Sequence, residues 1–263
     1  TNGNFTGIRI MGIFQNNLMA GAVASTAGGG GFYDHQIEQS ARFDRATPSS
    51  MNFTPGSAGN RQVWTWSAWV KKTINPGDAD VMLLNAGTSG HQSSRFRAYF
   101  YGELFRSSSA ELNYNVSTGL YRDVSGWMHL VWKLTGGTSY QYVNGTEVST
   151  SSVSGDVAIN NNVKHVLGGR DTPSTSTSFD GYMAEVVFID GTAYNPTTFA
   201  ESKNGVWIPK DFSSDVTFGS QGWHLKFENA SDLGNDSSGN NNDWTAVNMG
   251  TDHQVLDSPT FGS

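Results

Sequence analysis

The sequence predicts an all-β protein built as an antiparallel jelly-roll β-sandwich, and three observations carry that expectation. Short apolar runs recur with period two, each bounded by Gly, Ser, Asn or Pro. The 263 residues include 31 glycines, and 15% of side chains are charged against 12% aromatic, the composition of many short strands joined by polar turns. Helical periodicity is nearly absent. Pro196 to Glu201, with Asn195 as a cap, is the one stretch that reads as a short helix.

The strongest strand signal runs from Gly126 to Val148. Met128, Leu130, Trp132 and Leu134 share one face while Trp127, His129, Val131 and Lys133 share the other, which is the pattern of a half-buried strand. A Gly-Gly-Thr turn follows, and then Asn144-Gly145 supplies the two positive-φ positions of a type I′ turn, so the segment reads as an antiparallel meander. A lone meander cannot bury Trp132, Tyr140 and Tyr142. Other strands must form the opposite wall.

Residues 1–38 read as an N-terminal arm. From Ile10 to Tyr33 it carries no charge, and Gly28 to Gly31 close its Ala/Gly-rich part. Gln15-Asn16-Asn17 interrupts the apolar stretch and argues against both a cleaved leader and a membrane span. Such an arm contacts either neighbouring subunits or its own domain.

Residues 39–263 read as one sandwich. Strand signals fall at Ala41–Asp44, Ser50–Phe53, Val63–Val70, Val81–Leu84, Phe96–Tyr101, Leu112–Val116, Val163–Leu167 and Phe179–Gly191. In the third of these, Trp64, Trp66, Ala68 and Val70 share a face and leave Trp69 opposite. Trp69 is then either covered by a neighbouring loop or exposed as a stacking platform for a sugar. With Trp127 and Trp244 it makes up the candidate ligand contacts. Residues 207–263 read as strands and a loop that close the same domain.

Composition excludes several function classes. With 16 basic against 23 acidic residues the net charge is −7, and no Lys/Arg cluster offsets it, so nucleic acid is an unfavourable partner. Without cysteine there is neither a disulfide framework nor a thiolate site. The six histidines form no i, i+4 pair, and no Gly-x-Ser-x-Gly elbow is present. Glycosidases of the retaining type need two carboxyl groups about 5 Å apart. Glu185 alternates with Met183 and Val187, and Asp180 falls on the opposite strand face. Glu185 therefore reads as a solvated or hydrogen-bonded side chain, and the chain as non-enzymatic.

No motif requires a cofactor. Calcium is the one candidate, because Asp232, Asp236, Asn240, Asn242 and Asp243 crowd a loop with oxygen ligands. Asx turns that bond their own backbone account for the same residues without metal. Asp78 and Asp80 offer a weaker second acidic pair.

Three stretches, TWSAWVKK (65–72), GWMHLVWKL with YQYVNGTEV (126–148) and FDGYMAEVVFIDGTAYNPTTF (179–199), together resemble the laminin-G-like, concanavalin A-type lectin/glucanase superfamily. The resemblance covers roughly residues 40–200 and implies an early inner strand, a central hairpin, and a final strand followed by a short turn of helix. Gly222–Asn229 and Asp236–Thr245 resemble the opening strand and loop that usually precede such a module, here placed after it. Either they close the sandwich in permuted order, which is the expectation adopted, or they begin a second module.

The whole layout resembles structural proteins of tailed phages of aquatic bacteria: the uncharged arm, FYDHQIEQSARFD (32–44), the lectin-like domain, Trp207-Ile208-Pro209-Lys210 and the Asp-Ser-Ser-Gly-Asn loop. That resemblance implies a virion component, in capsid decoration or a tail fibre, displayed on the particle surface. Its arm would contact other virion proteins, its homo-oligomer would favour a trimer, and its sandwich would face host surface polysaccharide. The alternative is a secreted or surface carbohydrate-binding lectin module.

Overall fold

The computed structural model describes residues 31–75, 77, 79–87, 96–109 and 115–261. Residues 1–30 of the expected arm, Asp78, and residues 112–114 of one expected strand lie outside them. The first strands are β1 (Ser40–Phe43), β2 (Ser50–Phe53), β3 (Trp64–Lys72), β4 (Asp80–Ala86), β5 (Phe96–Tyr101), β6 (Leu104–Ser109) and β7 (Asn115–Val116). The central ones are β8 (Met128–Thr135), β9 (Thr138–Val143), β10 (Thr146–Ser152), β11 (His165–Leu167) and β12 (Gly181–Asp190). The chain ends through β13 (Ala200–Lys203), β14 (Val206–Pro209), β15 (Trp223–Leu225), β16 (Thr245–Val247) and β17 (Gln254–Val255).

All of these strands but β13 and β14, which pair with each other as a separate hairpin, make an antiparallel sandwich of two sheets. The first runs β10-β9-β8-β3-β12-β1-β17, with β15 also against β12, and the second runs β16-β2-β11-β4-β5-β6-β7. The C-terminal strands join both sheets, β15 on β12, β17 on β1 and β16 on β2. The two turns of the meander have the backbone their residues suggest: Gly136 and Gly137 sit at φ 57° and 72°, Asn144 and Gly145 at 47° and 77°.

Alternation sets the core. Trp64, Trp66, Ala68 and Val70 of β3 and Met128, Leu130, Trp132 and Leu134 of β8 all enter the cluster between the sheets. A chain of ring contacts crosses it from Trp132 to Trp64 (5.4 Å), Phe188 (6.0 Å), Trp223 (5.9 Å) and Trp244 (4.7 Å). Truncating one such ring to alanine costs about 3–5 kcal/mol. The same contacts tie the C-terminal segment to the centre of the sandwich through Trp223 and Trp244.

Two expectations are corrected. The other face of β8 is not solvent-facing: His129 and Val131 are buried, because residues 194–218 fold across the outside of the first sheet. Phe199 and Phe212 pack there on Val131, Val187 and Ile189, and Ala200 joins Ile37, Trp69 and Ala184 in an adjacent cluster. The expected helix over 196–201 is one 3-10 turn, Pro196–Thr198, that leads straight into the β13–β14 hairpin. Asn195 makes no cap bond there; its Oδ1 accepts from Lys133 Nζ at 2.6 Å. Among the described residues no helix is long and apolar enough to cross a membrane.

Candidate functional site

The site grows out of an irregularity in β12. Along one edge β12 pairs with β3, but opposite Ala184 stands Trp69 and opposite Val187 stands Ser67, so Glu185 and Val186 share a single position, a β-bulge. Glu185 holds φ 46° there, a region that favours glycine. The other edge of β12 is divided. β1 takes Gly181 to Met183 and β15 takes Val186 to Phe188. Glu185 therefore stands at the fork where β1 and β15 part.

The Glu185 side chain is nearly buried, at 10% exposure, and Oε2 lies 2.6 Å from His224 Nε2. An ionised carboxylate only accepts, so Nε2–H is the donor. His224 is itself held: its backbone N–H donates to Asp236 Oδ1 at 2.8 Å, and Phe218 stacks on its ring at 5.9 Å. Burial alone would raise the Glu185 carboxyl, but the His224 charge and hydrogen bond, assisted by His35 and Lys226, outweigh it and hold the group below its ordinary value. Glu185 stays a carboxylate at neutral pH.

A cleft of about 430 Å³ opens at the fork, walled by residues 35–39 on one side and by Lys226 and Glu228 on the other. His35, Glu185 and Lys226 also line a second hollow of about 180 Å³ that reaches His224 and Ser238. Lys226 pairs with Glu228 at 3.5 Å. Position of the 35–39 wall is fixed by Ile37, whose N–H donates to Thr260 Oγ1 at 2.9 Å while that hydroxyl donates back to the Ile37 carbonyl, and by the Asp34–Lys203 ion pair at 2.8 Å.

The aromatic candidates lie elsewhere. Trp69 is 4% exposed and stacked on His129 at 4.9 Å, and Trp244 is 2% exposed in the ring chain of the core. Neither presents a ring face to a sugar, because residues 194–218 cover one and the sandwich encloses the other. Trp127 is half-buried, with Nε1 donating to Asp257 Oδ1 at 3.1 Å beside Tyr182.

The loop read for calcium is a hydrogen-bonded Asx network. Asp236 Oδ1 accepts from the N–H groups of His224 and Ser238, and Oδ2 from the Ser238 hydroxyl (2.7 Å) and the Asn242 N–H (2.9 Å). Asp243 Oδ1 accepts the Asp236 N–H at 2.8 Å, and the Asn240 and Asn242 amides both donate to the Gly222 carbonyl. Asp232 is exposed. Asp80 serves as the partner of Arg97 and Arg170. Among the described residues no three His, Asp or Glu side chains are grouped to hold a metal ion.

Sequence reading missed His35, His224 and Lys226. A signal for two of them was present, since His224, Lys226 and Glu228 alternate and so share one strand face. Nothing local marks His35, which reaches Glu185 across some 150 residues of chain.

A family model described as the concanavalin A-like lectin/glucanases superfamily matches residues 46–198, more than half of the chain. The chain belongs to that superfamily. Its sandwich is similar to that of a Bacteroides ovatus protein provisionally assigned as carbohydrate binding, with TM-score 0.59 and 14% identity over 86% of this chain and 62% of the other. It also matches a heptameric pentraxin of Limulus polyphemus (TM-score 0.46, 13% identity, 61% and 80% covered) and the LG4-5 domains of mouse laminin α1 (0.45, 12%, 59% and 44%). No protein of curated function matches the sequence. Within this superfamily member, Glu185 lies in the matched span, while residues 35–39 and 224–228 lie outside it.

Proposed function

We propose that the protein is a non-catalytic recognition module that binds carbohydrate through its lectin-type sandwich. The observation that carries this reading is the state of Glu185. Of the three carboxylates at the fork, with Glu38 and Glu228, it is the buried one, and its neighbours hold it ionised. Hydrolysis of a glycoside needs a carboxylic acid with a raised pKa beside a second carboxyl group; binding of hydroxyl groups needs an ionised, preorganised acceptor, which Glu185 is. The superfamily match and the carbohydrate-binding assignment of the Bacteroides relative support the same reading. An immobilised panel of neutral and acidic oligosaccharides tests it. Retention of the full chain by at least one neutral member, with no reducing ends released, is the expected result, and release of reducing ends would overturn it.

A second reading concerns where the module works. The described end of the expected arm is clamped on the sandwich at Asp34, Ile37 and Ser40. The assembly role is that of a virion surface protein, trimeric, whose arm, residues 1–38, contacts neighbouring virion proteins as well as its own domain. Mass spectrometry of gradient-purified particles tests it. A fixed copy ratio to the main shell protein that survives high salt is expected, and recovery only in the soluble fraction would remove the virion role.

A further inference from the structure

Seven described residues other than glycine have positive φ, and five of them are asparagines, which tolerate that region. The other two are Glu185 at 46° and Phe227 at 60°. Glu185 stands at the base of the fork, and Phe227, whose ring is buried in the core between the sheets, lies in sequence between the two wall residues Lys226 and Glu228. Non-glycine side chains hold such backbone only where the surroundings impose it, and such positions cluster at ligand sites. The fork carries a second anomaly. Among the described residues His35 Nε2 is buried and has no hydrogen-bond partner, a condition that is rare for buried polar atoms. Glu185 spends Oε2 on His224, which leaves Oε1 as its second acceptor.

We infer that this notch is a subsite for one neutral sugar residue of a surface polysaccharide, with Glu185 and His35 as its floor contacts; the inference rests on the recognition reading above. A sugar hydroxyl both donates and accepts, so one vicinal pair satisfies a carboxylate oxygen and an imidazole nitrogen together. The Lys226 ammonium and the amides of Gln36 and Gln39 supply donors on the walls. Three carboxylates, Glu38, Glu185 and Glu228, outnumber Lys226 among the charged groups facing the space, which disfavours acidic sugars. The cleft of about 430 Å³ falls within the range of small-molecule sites, roughly 300–1,000 Å³. Among the described residues no Phe, Tyr or Trp ring lines it, so binding rests on hydrogen bonds and a single site is weak, with a dissociation constant on the order of 1 mM. Useful affinity then comes from several copies on one polysaccharide.

The test is amide NMR on the full chain, titrated with cellotriose, chitotriose, galactose, trigalacturonate and, as a cationic probe, spermidine. Expected are shifts confined to residues 35–39, Glu185 and 226–228 with a neutral sugar, and binding weakened about tenfold or more in Glu185→Gln and in His35→Ala. Lys226→Ala, at a half-exposed position, gives the same reading should Glu185→Gln fail to fold. A neutral sugar that shifts only resonances elsewhere overturns the notch and spares the recognition reading. No response to any sugar, here or on the oligosaccharide panel, overturns both. Shifts at the notch with spermidine or trigalacturonate alone overturn the neutral-sugar class.

Discussion

The indole N–H of Trp207 donates to Nδ1 of His129 across 3.1 Å. An accepting Nδ1 leaves the proton on Nε2, which donates in turn to Ser67 Oγ at 2.8 Å. His129 thus links β14 to β8 and β3 as a neutral peg, 1% exposed, with burial pulling its pKa down to about 3. It fastens the hairpin that closes the outer face of the first sheet. Trp207→Phe keeps most of the ring and removes the donor, leaving a buried nitrogen unsatisfied. The expected loss is about 1–3 kcal/mol in urea unfolding with an unchanged slope. A loss below a few tenths would show that the bond does not hold the hairpin.

Acid should destabilise the fold well above the pH at which carboxylates protonate. His129 and His165 are both neutral when folded; burial lowers His165 to about 4, against the opposing bond to the Val163 carbonyl. For a base with a depressed folded pKa, the unfolded chain takes up the proton first, so stability is complete above about pH 6.5 and falls as pH drops toward the folded value. Each histidine costs about 2 kcal/mol at pH 5 relative to pH 8, which together lower Tm by roughly 10 °C. Glu185 acts in the same direction at lower pH, since its depressed folded pKa withdraws stability only below the ordinary carboxylate range. A flat Tm between pH 8 and pH 5 would contradict the neutral-peg assignment.

Gly145 carries two separate constraints. Its φ of 77° excludes most side chains, and a Cβ added to it would lie 2.6 Å from the Trp207 ring. Gly136 has φ 57° with nothing within reach of a Cβ. Gly136→Ala therefore reports the backbone strain alone, about 1 kcal/mol, and Gly145→Ala reports strain plus displacement of Trp207. Gly145→Ala should be the more destabilising by at least about 1 kcal/mol in parallel melts, and equal effects would mean that the indole moves aside freely.

Much of the sandwich was legible because period-two alternation marks faces directly. Trp64, Trp66, Trp132 and Leu134 reach the core their spacing assigns. Alternation does not tell what covers the second face, and this is why β8 read as half-buried and Trp69 stayed open between two readings. The cover is residues 194–218, whose Pro196 start imitates a helix and whose hairpin pairs Ala200 with Pro209, a contact no local propensity announces. The strand β6 was missed because its Leu-Phe-Arg-Ser-Ser-Ser run alternates weakly, and tertiary pairing with β5 decides it. The candidate site was the least legible part. It is assembled from residues 35–39, a bulge in β12 and the end of β15, and of its side chains only Glu185 is marked individually by the sequence.

Asp236 is the keystone of the loop that reads as a cation site, and its chemistry gives the sharpest contrast between two accounts of that loop. Both carboxylate oxygens already accept two hydrogen bonds each, from three backbone N–H groups and the Ser238 hydroxyl. The loop's own donors therefore do what a cation would do, and chelators should leave Tm unchanged. Asp236→Asn turns an NH2 group toward at least one pair of these donors, so it should cost about 3 kcal/mol whether or not calcium is added. With the NH2 group at the Oδ1 position the His224 N–H is among the lost bonds, and the substitution then also loosens the imidazole on Glu185 and broadens the amide resonances of residues 224–228. If calcium restored the stability of the variant, or a chelator lowered the Tm of the native chain by several degrees, the loop would hold a cation and the hydrogen-bond account would fail.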